Sequence, residues 1–208
     1  MDRIPRSATI AISAFTALAW LVASIAFPGE AATVLGFTPA RLSGGDVPWA
    51  VIPAFLTPLT ATIAHAGIVH LGFNMLILVW CGMAVERVLG PWGLIILYVV
   101  GAYAAAAGQW LADPMGVIPM IGASGAVSAV LGAYSLSFGR AKQLTRSVRI
   151  NRWINSAWLL AAWVALQLAI GWLAGVQGVL LATPAHIGGF LAGILLQRPL
   201  LLWRYRRA

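Results

Sequence analysis

Gly122-Ala123-Ser124-Gly125 opens an apolar stretch over residues 122–138, and Ala185-His186-Ile187-Gly188-Gly189 lies in another over residues 179–196. The length and apolarity of such stretches decide the fold class. The serine and histidine inside them raise the question of function. Placing a polar side chain inside a membrane-spanning segment costs free energy, so its presence there is by default a mark of function. A serine and a histidine at similar depth suggest a nucleophile and its base, buried where water is scarce.

The rest of the chain has the same character. Of its 208 residues, 61% are hydrophobic and 9% charged, with mean hydropathy +0.91. A soluble domain carries about 25% charged residues. Too few charges remain to cover a water-facing surface, which points to an integral membrane protein. Six apolar stretches emerge, over residues 8–27, 59–84, 93–111, 122–138, 154–173 and 179–196. A spanning helix needs about 20 residues at about 1.5 Å each. The fourth and sixth are short and reach across by an added turn or in a thinned bilayer. The expectation is an all-α, polytopic membrane protein: one domain over residues 1–208, built as a bundle of six transmembrane helices.

The net charge is +8. In a soluble protein that would suggest nucleic acid, but here the basic residues lie between apolar runs, and topology explains them better. Arg3 and Arg6 precede the first span, and Arg87 follows the second. Arg140, Lys142, Arg146, Arg149 and Arg152 fill the fourth connection, and Arg198, Arg204, Arg206 and Arg207 close the chain. All share one side if both ends lie together, and only Arg41 falls on the other. The positive-inside rule then puts both termini in the cytoplasm, with the chain in the inner (plasma) membrane. The first apolar run exceeds the usual 7–15-residue signal core (roughly) and no clear A-x-A site follows, so it reads as a retained span. Cys81 is the only cysteine, which excludes an internal disulfide; it reads as a small apolar helix residue.

The second, fourth and sixth spans all enter from the outside. His65, His70, Asn74, Ser124 and His186 therefore fall in the outer half of the membrane, with Ser124 in a first turn and His186 about two turns in. His70 and Asn74 are four apart and share a helix face. An Asn amide and a neutral His ring nitrogen both donate hydrogen bonds, and a donor pair beside a nucleophilic serine is what an oxyanion hole requires. The Ser124 backbone N–H, in a first turn without an intrahelical acceptor, is a third donor.

Small residues bring the serine to the histidine. Gly125, Ser128, Ala129 and Gly132 form one small face, and Gly189 and Gly193 form a G-x-x-x-G face; such faces let helix backbones approach closely. The carboxylates are Asp2, Glu30, Asp46, Glu86 and Asp113. Asp2 and Glu86 are on the wrong side and the others in or near external loops, so a Ser–His dyad is expected in place of a triad. Each residue alone has a structural reading, since a membrane serine commonly bonds a backbone carbonyl and a histidine commonly ties two helices. The convergence favours chemistry. H-E-x-x-H zinc chemistry fails because Ala66 follows His65, and the G-x-S-x-G elbow fails because Ala126 holds its last position. No metal or cofactor is implied.

Two connections stand out. The outward segment over residues 28–58 is rich in Pro, Gly and aromatics (Phe37, Trp49, Phe55), and loops of that length are functional or disordered. Trp49 is placed to anchor at the headgroup level. The basic connection over residues 139–153 reads as a solvated loop facing lipid headgroups.

Together, Gly122-Ala123-Ser124-Gly125, the H-x-x-x-x-H-x-x-x-N run from His65 to Asn74, and Ala185-His186-x-x-Gly189-x-x-x-Gly193 resemble the rhomboid family of intramembrane serine proteases, in order and in placement on spans two, four and six. The resemblance implies a serine endopeptidase that cuts transmembrane helices of membrane-protein substrates within the bilayer, its site opening outward. Ser124 would be nucleophile and His186 general base. His70, Asn74 and the Ser124 N–H would bind the oxyanion, and His65 would sit near a water-filled cavity. Phe73, with Trp172 as its partner on the fifth span, would form a lateral substrate gate. Glu86-Arg87-x-Leu89-Gly90 is similar to the family's cytoplasmic turn, and the compact core resembles bacterial members. Two positions depart from the family. Ser128 stands where many members stack an aromatic on the base, and Ala50 follows Trp49 where many carry Arg. Two other functions fit less well. One is a catalytically silent relative that binds transmembrane helices. The other is a small transporter using His65, His70 and Asn74, for which the inner halves offer little beyond Trp80, Cys81 and Gln197.

Overall fold

The computed structural model describes residues 7–138, 143–173 and 182–206. Asp2, Arg3, Arg6, Arg140, Lys142 and Arg207 lie outside the described residues, as do Gly139 and the expected start of the sixth span at Val179. Helices α1 (Ala8–Ala26), α2 (Ala31–Leu35), α3 (Thr57–Thr60), α4 (Ile68–Ala112), α5 (Ser124–Phe138), α6 (Val148–Leu173) and α7 (Thr183–Arg204) carry the fold, with short 3-10 turns at Pro39–Ser43 and Ala54–Leu56. Among the described residues the one β-pairing is an isolated bridge between Phe37 and Met120, so the architecture is all-α. By length and composition α1, α4 and α7 are able to cross a membrane, and α5 is a shorter apolar helix.

The second and third apolar runs form one 45-residue helix, α4, with a break at Gly90 (φ 79°, ψ 168°) followed by Pro91. Glycine alone takes that left-handed φ at no steric cost, and Pro91 has no N–H to continue the ladder. The two arms fold back on each other. His70 on the first arm borders Gly122, and Ala105 on the second touches Gly125, so both reach the same level of α5. Pro91 leaves the Arg87 carbonyl without its helical donor. Arg204 at the end of α7 fills the gap, its Nη1 donating to the carbonyls of Arg87 (2.6 Å) and Glu86 (3.4 Å).

The Glu86 carboxylate meanwhile caps α1. It accepts from Ser7 Oγ (2.8 Å), Ala8 N (2.7 Å), Thr9 N (2.9 Å) and Thr9 Oγ1 (2.6 Å). A carboxylate on the unpaired N–H groups of a helix start is favourable through both hydrogen bonding and the helix dipole. Burial pushes this carboxyl up, but the bonds from Thr9, Ser7 and Ala8 outweigh it and hold Glu86, in the connection between apolar runs, below its ordinary value.

The centre of the bundle is α5, every residue of which from Ser124 to Ala133 is buried. It is held against α7 by main-chain contact. A Cβ added at Gly189 would strike the Gly125 carbonyl, one at Gly193 the Ala129 carbonyl, and one at Gly132 the Phe190 carbonyl. In lipid, helices associate through such close packing because hydrocarbon supplies no hydrophobic drive between them. Leu78, Leu94, Leu97, Val127, Val130 and Phe190 fill the interior. Phe15, Leu18, Ile25, Trp158 and Leu195 point out, each more than 60% exposed. Such an apolar exterior marks a lipid-facing surface.

Two expectations are corrected. The second span does not begin at residue 59: α3 ends at Thr60 and α4 starts only at Ile68, so His65 lies in the turn before the helix. Helix α7, which carries the sixth expected span, starts at Thr183 with Pro184 in its first turn, a position proline favours, which puts His186 in the first turn too. The segment over residues 28–58 packs on the bundle. Phe37 turns inward (1% exposed) and exchanges two backbone bonds with Met120 (2.9 and 2.8 Å), while Ala40 N reaches Gly116 O at 3.0 Å. Thr60 Oγ1 donates to Leu35 O at 2.7 Å. The first loop thus braces the chain that leads into Ser124.

Candidate active site

Ser124 begins α5 and His186 lies in the first turn of α7, both buried, with His186 Nε2 2.8 Å from Ser124 Oγ. The glycine contacts between α5 and α7 account for that reach, since any side chain at Gly189 would push the helices apart. Gly122 precedes the serine at φ +110°, where a side chain would be strained. A Cβ there would stand 3.0 Å from His70 Nε2 and 3.7 Å from Ser124 Oγ. The His70 ring edge and the serine hydroxyl therefore face one small space that only glycine leaves open.

His70 Nδ1 accepts from Ala66 N at 3.4 Å, which assigns its proton to Nε2, the nitrogen on the serine side. Asn74 is fully buried. Its Nδ2 donates to His70 O at 2.9 Å, and its Oδ1 has no partner among the described residues. One of its two amide hydrogens is engaged, and the second remains available. His65 acts on backbone. Its Nε2 accepts from Ala123 N at 3.3 Å, its Nδ1 lies 3.0 Å from Ile63 O, and its ring meets His70 edge-on with centroids 5.0 Å apart. Gly122 N donates to Ala61 O at 2.8 Å. The turn before α4 thus fixes both residues that precede Ser124.

Helix α6 contributes two residues the sequence reading overlooked. Trp163 is buried, and its indole N–H donates to Ser128 Oγ at 2.7 Å. Ser128 Oγ in turn donates to the Ser124 carbonyl at 2.7 Å. The Trp163 ring lies edge-on to His186, with centroids 6.3 Å apart. An aromatic therefore does flank the histidine, but it comes from α6, and Ser128 is small because the indole needs its hydroxyl. Gln167, one turn on, brings its Nε2 to 3.5 Å from His186 Nε2. The signal was a Trp and a Gln four apart in an otherwise apolar run. His186 Nδ1 has no partner among the described residues. Of the gate residues, Phe73 is half-buried, whereas Trp172 is 82% exposed and so turns away from the bundle.

The family model for the Rhomboid domain matches residues 54–203. RHOMBOID-like protein 5 of Arabidopsis thaliana is 32% identical over 138 residues, covering 66% of this chain and 41% of that protein. Rhomboid protease GluP of Bacillus subtilis is 29% identical over 136 residues (65% and 24%). Rhomboid-type serine protease 2 of Emericella nidulans is 28% identical over 154 residues (70% and 25%). The chain spans less than half the length of these relatives. No solved structure matches it. With the match running from the end of the first loop through both arms of α4, all of α5 and α6 and nearly all of α7, the chain belongs to the rhomboid family.

Proposed function

We propose that this membrane protein is an intramembrane serine endopeptidase acting through a Ser124–His186 dyad. The observation that carries the reading is the buried 2.8 Å contact between His186 Nε2 and Ser124 Oγ. Ser124 Oγ attacks the scissile carbonyl carbon as its proton passes to His186 Nε2. The oxyanion lies in the space beside Gly122 that the His70 ring edge faces, with His70 Nε2–H as one donor and the Ser124 backbone N–H and the second Asn74 amide hydrogen as the further proposed donors. As the C–N bond breaks, His186 returns the proton to the departing amine. Water then adds to the acyl-enzyme with His186 as base and releases the acid. Trp163 and the α5–α7 backbone contact hold the imidazole where a triad would use a carboxylate.

The substrate is a membrane protein whose transmembrane helix enters sideways, past Phe73, and unwinds locally, since an intact helix keeps its carbonyls in hydrogen bonds. The chain acts as one domain in the inner (plasma) membrane, with both termini cytoplasmic and the site opening outward. The relatives named as proteases, and the serine and histidine together, favour this reading over a silent helix-binding protein.

The test is cleavage of a model single-span substrate by the purified protein in lipid, beside Ser124→Ala and His186→Ala, with a serine-directed fluorophosphonate probe. Loss of cleavage and labelling in both folded variants is the expected result. Cleavage that survives either change would overturn the mechanism. A native protein that neither cleaves nor labels would be a helix-binding relative.

A further inference from the structure

At the end of the bundle opposite the dyad, a groove of about 330 Å³ lies between the Gly90 bend and the end of α7, lined by Leu89, Gly90, Pro91, Trp92, Trp203, Arg204 and Arg206. That volume is in the range of small-ligand sites, about 300–1,000 Å³. Two guanidinium groups border it, and both are held. Arg204 is fixed through Nη1 to the carbonyls of Glu86 and Arg87. Its Nε stands 3.6 Å from where a Gly90 Cβ would be, so the guanidinium packs directly against the bend. Arg206 lies over the Trp203 ring, 5.5 Å from its centroid. Among the described residues the carboxylate of this region, Glu86, is turned toward α1 and engaged by Ser7, Ala8 and Thr9.

The geometry points to this groove as a binding site for the phosphate of an anionic glycerophospholipid. Guanidinium forks match phosphate oxygens in shape and charge. Trp92 (68% exposed) and Trp203 (41% exposed) stand on the rim, the residue type that settles at the headgroup level. Leu202, next to Trp203 in the chain, is 62% exposed and adds apolar surface near this end of α7. A free anion needs only the arginines, whereas the flanking indoles and leucine suit the glycerol and upper acyl chains of a lipid. Bound there, the lipid ties the α4 bend and the end of α7 to one leaflet.

The test is retention of lipid by the full chain in native mass spectrometry, after incorporation into phosphatidylcholine vesicles with and without phosphatidylglycerol. Phosphatidylglycerol is expected to be kept in preference to phosphatidylcholine, and Arg206→Gln is expected to weaken that preference about tenfold, the effect of losing one hydrogen bond to a charged group. Arg204→Gln should do the same, and if it does not fold, Arg206→Gln decides alone. Arg149→Gln, an exposed charge at the start of α6, should leave retention unchanged. Equal retention of the two lipids, or an equal effect of Arg149→Gln and Arg206→Gln, would overturn the site. Displacement of the lipid by inorganic phosphate would reassign it to a free anion. Proteolysis is not read out, so the result stands apart from the proposed activity.

Discussion

The indole N–H of Trp163 and the hydroxyl of Ser128 are joined at 2.7 Å, and the same hydroxyl donates to the carbonyl of Ser124. One side chain of α6 is thereby tied to the main chain of the proposed nucleophile while its ring flanks His186. The two roles separate by substitution. Trp163→Phe keeps a ring and leaves Ser128 bonded to Ser124, so it removes one buried hydrogen bond, worth about 1 kcal/mol. The expected result is a several-fold lower kcat with KM unchanged. Ser128→Ala strands the indole N–H as well and should cost about 1–3 kcal/mol in stability. Steady-state kinetics with thermal unfolding checks both, and unaltered kcat in Trp163→Phe would remove the indole hydrogen bond to Ser128 from the positioning of the proposed nucleophile.

His70→Ala and Asn74→Ala should each lower kcat by about 10²–10³ with little change in KM, as loss of an oxyanion donor does. His65→Ala acts through the Ala123 backbone and should instead lower stability together with activity. A His70→Ala protein with full kcat would vacate the oxyanion assignment.

Glycine substitutions divide sharply by place. Gly189→Ala and Gly193→Ala drive a methyl into a backbone carbonyl, and overpacking of this kind costs about 1–3 kcal/mol. Gly72→Ala meets nothing within 4 Å and should stabilise α4 by about 0.5–1 kcal/mol, the gain of alanine over glycine in a helix. Unfolding of the three variants in one detergent makes the comparison.

Acid should loosen the α1 cap. Glu86 has its folded pKa depressed below the ordinary 4.5, so its contribution is fully present above that value and is lost as pH falls through the folded pKa. Thermal stability followed from pH 7 into acid should fall on crossing that window, and Glu86→Gln should be less stable at neutral pH with a flatter acid limb. An unchanged limb in Glu86→Gln would assign the acid sensitivity elsewhere.

Hydropathy made the helices legible, and the small faces around Gly125 and Gly189 made the meeting of Ser124 and His186 legible as well. Boundaries were harder. Residues 59–67 are apolar enough to read as span, but Thr57, Pro58 and Gly67 break them into a short helix and a turn, and His65 works there on backbone. The inward turn of Phe37 was hidden because its bridge to Met120 joins segments some eighty residues apart. Trp163 escaped notice because a tryptophan in an apolar run has the same hydropathy whether it faces lipid or a serine. Trp172, on the same helix, faces out.

The contact of Gly189 and Gly193 with the carbonyls of Gly125 and Ala129 is one of main chain against main chain, with no rotamer on either side to relax it. Strain from a thinner or thicker bilayer should therefore tilt α5 and α7 as one rigid body, with the serine–histidine separation unaltered. Variation that retunes the proposed substrate choice should then arise in α6, where side chains such as Trp163 make the contacts. The seam itself leaves selection almost no freedom.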